Sequence, residues 1–360
     1  MESFSCKTEI FIGNGSLRQL KDMGIRRLLL VTDPFFSENG TAQRLLSLSG
    51  AEATEIFDKI TPDPTVELAA EGTAAMARFD PDTVVALGGG STIDCAKAMV
   101  YFFKKPVRLI AVPTTSGSGS EVTDFAVLTH KGVKHPLVDK RLLPHSAILD
   151  FDLLAGLPPA LVADTGFDVL SHSLEAYVAT GATAFSDALA RDAFSAVLAL
   201  LGSSYRGDQT VRGRIHQAST MAGMAFQQAG LGMCHALSHV LGGAFHLPHG
   251  RLNAILLPAV IRCNAHICGE KYAKLARWAG ISGAADTVAV RNLCNALCRL
   301  RQEMQLPRNL REAGIPPEQV WNRMDSLVAG AMEDPCCRTN PLPVEAYILR
   351  RILSEVAGRG

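Results

Sequence analysis

The chain has no excess of charge of either sign: 35 Lys and Arg stand against 35 Asp and Glu. No block of like charge interrupts it, which argues against nucleic acid or an acidic membrane surface as a partner. No apolar run has the length expected of a bilayer span, and the opening "MESFSCKTEI" lacks the basic-then-apolar layout of a secretory signal. Nothing at that end reads as a separate targeting helix. Cysteine pairing is absent too, since the nine cysteines are odd in number and show no C-x-x-C spacing. Without an export signal they read as reduced thiols, as expected of a cytoplasmic protein. Cys294 and Cys298 lie one helical turn apart, yet ordinary core or surface thiols account for them; the adjacent Cys336 and Cys337 are a separate oddity. No internal repeat or low-complexity segment is present. What remains is a globular composition, 48% apolar and 19% charged. At 360 residues it is too long for one compact core and comfortable for two domains.

The two halves have different rhythms. "RRLLLVTD" (26–33), "DTVVALGGGS" (82–91) and "VRLIAVPTTSGSGS" (107–120) are β-rich runs ending in small or acidic residues. Thr65 to Phe79 and Thr92 to Phe103 show helical apolar spacing between them. Alternation of this kind predicts an α/β domain with a mostly parallel sheet. "FAVLT" and "KHPLVD" read as a smaller antiparallel excursion. Beyond Pro158 and Pro159 the strand signals stop, and an Ala- and Leu-rich 3.6-residue period predicts an all-α domain. The expected domains are 1–155 and 156–360.

"GGGSTIDCAKAM" follows a strand and opens a helix. Gly89 and Gly90 allow close backbone approach, Ser91 is the expected N-cap, and Asp94 is its capping-box partner. Free amides at such a helix start suit a pyrophosphate. The spacing is not G-x-G-x-x-G, and the best ribose-binding acid, Asp33, precedes the glycines. The hydroxyls Thr114, Thr115, Ser116 and Ser118 stand at the end of the next strand. Ligands bind outside the carboxyl ends of such strands, so three loops would converge on a dinucleotide.

Four of the chain's ten histidines, His235, His239, His246 and His249, crowd a single segment. His235 and His239 are four apart and share a helix face. "HALSH" has Ala236 where H-E-x-x-H proteases carry their glutamate, so a general base is missing. Upstream, Asp168 and His172 form a second pair at the same spacing, and His249 follows Pro248 at the start of another apolar stretch. Two helical pairs and a further histidine point to a divalent metal. Imidazoles with one carboxylate and no thiolate suit Fe(II), Zn or Ni. His246 either lines the cleft or packs, and packing is the favoured expectation.

In order and spacing, "GGGSTIDCAKA", "PTTSGSGSEVT", "DVLSHSLEAYV" and "GLGMCHALSHVLGGAFHLPHG" resemble the iron-containing (group III) alcohol dehydrogenases over almost the whole chain. "ITPDPT", "KHPLVD" and the histidine segment are most similar to the propanol dehydrogenase branch of propanediol utilisation, with ethanolamine-utilisation enzymes next. The resemblance implies the dehydroquinate synthase-like fold and metal ligands at Asp168, His172, His235 and His249. It implies His239 beside the metal, for proton handling or substrate positioning. NAD(H) contacts would fall on Asp33, Gly89, Gly90, Ser91, Asp94, Thr114, Thr115, Ser118 and Lys134. Departures are Leu342, where "TNPR" would supply arginine, Phe125, where some relatives carry Asn, and the doubled cysteine of "DPCC".

The expected reaction is hydride transfer between NAD(H) and a short aldehyde or primary alcohol, propionaldehyde and 1-propanol first, with Fe(II) favoured by availability and Zn as alternative. Residues 151–250 contain no Lys, which argues against a phosphorylated substrate. The rivals are polyol oxidation of the glycerol dehydrogenase kind and a non-catalytic protein of a metabolic shell. A homodimer is expected, in the cytoplasm or inside a bacterial microcompartment with its shell or lumen proteins as partners.

Overall fold

The computed structural model describes residues 4–358. The chain divides into two compact units, Ser5–Leu157 and Pro158 onward.

In the N-terminal unit β1 (Glu9–Ile12), β2 (Arg27–Thr32), β3 (Ala53–Phe57), β4 (Thr83–Gly88), β5 (Arg108–Pro113) and β8 (Ser146–Leu149) form one parallel sheet, ordered β1-β8-β5-β4-β2-β3. β6 (Phe125–His130) and β7 (Val133–Val138) make a separate antiparallel ribbon, the excursion the sequence predicts. Helices α1 (Pro34–Glu38), α2 (Thr41–Ser49), α3 (Val66–Phe79) and α4 (Gly90–Phe103) connect the strands. β2 is a continuous apolar run because both of its faces are covered. Leu29 and Val31 join a core with Met76, Ile93 and Met99, while Leu28 and Leu30 join another with Leu17, Leu20 and Leu45. Thr65 caps α3 by accepting from the Leu68 amide at 3.1 Å. A methyl group on Gly72 would fall 2.5 Å from Met99 Sδ, so glycine there lets α3 approach α4.

The second unit contains α5 (Pro159–Val178), α6 (Ala184–Tyr205), α7 (Arg212–Ala229), α8 (Met233–Phe245), α9 (His249–Trp278), α10 (Asp286–Glu303), α11 (Pro317–Asn322), α12 (Met324–Glu333) and α13 (Ala346–Val356). It has no strand among the described residues. Pro159 sits in the first turn of α5, where a missing N–H costs nothing. α5 is the central helix: α6, α7 and α9 pack around it, and nearly every residue from Val162 to Val178 is buried. α9 is long and apolar enough to cross a membrane by length and composition alone. Its apolar stretch is 72% buried inside the protein, so it is a core helix.

Candidate metal and cofactor sites

α5 builds the first site from a single stripe. Asp168, His172 and Glu175 fall at i, i+4 and i+7, on one face of a helix that is buried on all sides. α8 adds His235 and α9 begins at His249. Three imidazoles converge on one carboxylate oxygen: the Nε2 atoms of His172, His235 and His249 lie 3.8, 3.8 and 3.5 Å from Asp168 Oδ1. The His172 and His235 rings stack at 4.5 Å between centroids, and His172 also stacks on Phe226 at 4.4 Å.

Burial disfavours the charge on Asp168, but His172, His249 and His235 outweigh it and hold the carboxyl well below its usual range. Burial likewise opposes a charge on His235, yet Asp168 and Glu175 raise it to about 9. The cluster therefore attracts positive charge. His235 Nε2 is buried and has no hydrogen-bond partner among the described residues. An orphaned imidazole nitrogen beside an ionised carboxylate fits a metal ion, which would satisfy both.

A supporting shell that the sequence reading missed holds these side chains. Glu175 Oε2 lies 2.6 Å from His235 Nδ1, and Glu175 also accepts the amides of Gly232 (2.9 Å), Cys234 (2.7 Å) and His235 (3.4 Å). One carboxylate thus caps α8 and leaves His235 Nε2 free to face Asp168, the carboxylate–histidine arrangement of metal sites. Gly232 is required there, because a Cβ would sit 2.7 Å from both Glu175 Oε1 and Asn340 Oδ1. Asn253, one turn after His249, donates to Asp168 Oδ1 at 2.9 Å. Arg251 grips Asp164 through Nε (3.1 Å) and Nη2 (2.9 Å), which fixes the start of α9 against α5. A Cβ on Gly250 would lie 1.8 Å from the Asp164 carbonyl oxygen, so only glycine allows His249 this close.

His239 stands one turn beyond His235, its ring stacked on His249 at 5.1 Å. Its Nδ1 lies 2.7 Å from Asp334 Oδ2. Burial pushes Asp334 up, but His239 and the Cys336 amide prevail and bring it to about 2. An ionised carboxylate can only accept, so His239 Nδ1 is the donor to Asp334. His246 departs from expectation: it is exposed and caps α8 in the left-handed conformation, φ 56°, with its amide on the Gly242 carbonyl.

In the N-terminal unit β2, β4 and β5 are neighbours, so Asp33, Gly89 and Thr114 stand at adjacent strand ends. The helix start differs from the sequence reading. Gly89, not Ser91, is the N-cap of α4, and no side chain caps it. Asp94 turns away to accept from Ser120 Oγ at 2.5 Å and the Val127 amide at 2.9 Å, which ties α4 to the next loop and to β6. The first-turn amides of α4 are left without a side-chain cap, as an anion site needs. A Cβ on Gly90 would lie 2.9 Å from Ser118 Oγ, and one on Gly89 would lie 3.3 Å from Thr115 Oγ1, so the two loops pack directly. Asp33 Oδ1 is buried with no partner among the described residues, and burial raises this carboxyl against the Phe36 and Phe35 amides. Such an acceptor fits a ribose hydroxyl. Lys134 on β7 pairs with Asp63 at 2.7 Å. Lys97, unread in the sequence, is fully buried and donates to Thr123 Oγ1 (2.9 Å) and the Phe125 carbonyl (2.8 Å). Burial brings it down to about 8, despite Asp94.

Two family models match, "Iron-containing alcohol dehydrogenase" over residues 7–151 and "Fe-containing alcohol dehydrogenase family, C-terminal" over 162–356. The 1-propanol dehydrogenase PduQ of Citrobacter freundii is 41% identical, over 99% of this chain and 100% of that protein. An NADPH-dependent butanol dehydrogenase of Clostridium saccharobutylicum is 36% identical, over 99% and 98%. Among solved structures, a sulfoacetaldehyde reductase from Bifidobacterium kashiwanohense in complex with NAD+ superposes with a TM-score of 0.91, at 27% identity over 100% of both chains. With both halves matched and relatives aligned end to end, the chain belongs to the iron-containing alcohol dehydrogenase family.

Proposed function

We propose that the protein is an NAD(H)- and metal-dependent alcohol dehydrogenase that interconverts a short, uncharged aldehyde and its primary alcohol, with propionaldehyde and 1-propanol as the preferred pair. The observation that carries this is the convergence of three imidazoles on Asp168 Oδ1, with His235 Nε2 left unpartnered. Asp168, His172, His235 and His249 would hold the metal, Fe(II) or else Zn, and Glu175 and Asn253 would orient two of these ligands. When bound, the metal polarises a carbonyl as a Lewis acid and the nicotinamide supplies or accepts the hydride.

The rest is the work of this chain. Gly89, Gly90 and Ser91 offer amides and space to a pyrophosphate, Thr114, Thr115 and Ser118 line the facing loop, and Asp33 accepts from the ribose. Asp94 and Lys134 act by shaping the loops on either side. Cofactor residues thus lie in 1–155 and the metal and catalytic residues in 156–360. His239, with its Nδ1 proton held by Asp334, takes the alcohol proton at Nε2 during oxidation and returns it during reduction. The NAD+ complex of a neighbour supports the cofactor, although one relative is named for NADPH. The identity to a 1-propanol dehydrogenase and the lack of Lys over 151–250 support a small substrate without phosphate. On the resemblance to propanediol-utilisation enzymes, we infer a homodimer that works in the cytoplasm or inside a microcompartment.

Protein purified without oxygen is assayed for metal by elemental analysis and for NADH oxidation with propionaldehyde, acetaldehyde and glyceraldehyde. Stoichiometric metal and fastest turnover of the two short aldehydes are expected. Full activity in metal-free protein, or turnover of polyols alone, overturns the proposal.

A further inference from the structure

Beside the four-residue site lies a second cluster of donors of different character. The turn Pro335–Thr339 is opened by Asp334, whose Oδ1 accepts the Cys336 amide at 2.8 Å. That bond fixes the carboxylate and the thiol of Asp-x-Cys on the same side of one turn. α8 packs against this turn and brings His239 to Asp334. A nitrogen of His239, a carboxylate oxygen of Asp334 and Cys336 Sγ all lie within 4.8 Å of one another, and all three residues are partly exposed. The neighbouring Cys337 is directed elsewhere, its Sγ donating to the Ala331 carbonyl at 3.0 Å.

We propose that His239, Asp334 and Cys336 form a second cation site, selective for a soft divalent ion such as Zn2+ or Cd2+, and distinct from the site centred on Asp168. The donor sets separate the two. Imidazole and carboxylate alone accept iron and its neighbours, whereas a thiolate favours Zn and its heavier congener. The cation would replace the proton that His239 and Asp334 share, and the Cys336 thiol would release its own proton to water. The donor set itself gives this preference, since only an ion with a strong affinity for sulfur displaces the proton of a thiol. His239 is stacked on His249, so a second dication sits close to the first and binds more weakly. The site therefore fills at excess metal. Because it takes His239, occupancy slows aldehyde reduction; that consequence alone rests on the role given to His239 above.

The test is an anaerobic titration of the iron-loaded protein with Cd2+, followed by ultraviolet thiolate-to-cadmium charge transfer, with iron measured before and after. The wild type should show a band that saturates at one equivalent while iron stays bound. The band should vanish in Cys336→Ser, persist in Cys337→Ser and shift to at least tenfold higher Cd2+ in His239→Ala. A missing wild-type band, a band undiminished in Cys336→Ser, or displacement of iron without a band overturns the proposal. Propionaldehyde reduction should fall in step with the band, and in Cys336→Ser it should not fall. Inhibition independent of Cys336 overturns the link to His239. A protein inactive from the start would refute the proposed function and leave the spectroscopic result to decide this site.

Discussion

The proposed metal site of the helical unit and the proposed cofactor site of the α/β unit are built in opposite ways. The cluster around Asp168 is made of ionisable side chains, several of them anchored by further side chains. Glu175 anchors His235, Asn253 anchors Asp168, and Arg251 with Asp164 anchors the start of α9. The crevice after β4 and β5 is made of backbone and small side chains, with Gly89 and Gly90 pressed against Thr115 and Ser118. A bare ion needs charge and fixed geometry, which only particular side chains supply. A dinucleotide spreads its contacts over many amides, so any one residue contributes little. The comparison predicts steep losses on substitution in the first site and shallow ones in the second.

The largest effects belong to the ligands. Asp168→Ala, His235→Ala and His249→Ala should each reduce metal to trace levels in elemental analysis and NADH-linked activity to background. Cys263→Ala and Cys298→Ala should change neither. Glu175→Gln comes next. It puts an amide N–H among the donors of Gly232, Cys234 and His235, and a shell change of this kind lowers metal affinity by about 10- to 100-fold. A chelator competition measures it, and an unchanged affinity would show that His235 does not depend on its partner.

Asp334→Asn probes the residue that holds His239. It keeps the shape but can donate to His239 Nδ1, which favours the wrong tautomer. Turnover should fall about 10- to 100-fold, the size of effect seen for a residue that orients a functional histidine, with metal content and the KM for NADH unchanged. Asp334→Glu should recover part of the loss. Equal losses in Asn and Glu, accompanied by loss of metal, would make Asp334 structural only.

In the N-terminal unit Gly90→Ala forces a Cβ to within 2.9 Å of Ser118 Oγ. Overpacking costs about 1–3 kcal/mol, of which about 1.4 kcal/mol corresponds to a tenfold rise in the KM for NADH. Metal content should stay constant. If Gly90→Ala also lost metal, the sites would not be independent in the way their construction suggests.

The same contrast explains what could be read from the sequence. Parallel strands and the switch to an all-helical half follow from local periodicity, as in β2 and α5, and the structure has both. The histidine pairs are legible because a helix repeats every 3.6 residues and few other reasons bring four imidazoles together. Glu175 was missed although it stands at i+7 from Asp168 on the same stripe, because a lone acid in an apolar helix gives no hint that it caps another helix. Asp334 and Asn340 were beyond reach, since they meet α8 across about a hundred residues of chain. Ser91 was misassigned because local cap statistics favour serine. The helix starts two residues earlier, with Gly89 as its N-cap, and Asp94 is drawn to Ser120 and Val127. His246 failed for a similar reason, as its left-handed cap is a property of the turn into α9.

The smallest effect is expected at Asp33, and it concerns choice rather than binding. Its Oδ1 is buried and unpartnered among the described residues at the end of β2, where a ribose hydroxyl would satisfy it. The same carboxylate would meet a 2′-phosphate with like charge, so NADH should be preferred. Asp33→Gly removes both the attraction and the repulsion. The kcat/KM for NADH should fall slightly and that for NADPH should rise, moving their ratio by about tenfold, or 1.4 kcal/mol. A 36% identical relative is named for NADPH, which shows that this preference varies among proteins similar to this one. The measurement is the pair of kcat/KM values at fixed propionaldehyde for the wild type and the variant. Should the wild type use NADPH as well as NADH, Asp33 is not the discriminating residue. An unchanged ratio in the variant would place the discrimination in the facing loop of Thr114, Thr115 and Ser118 instead.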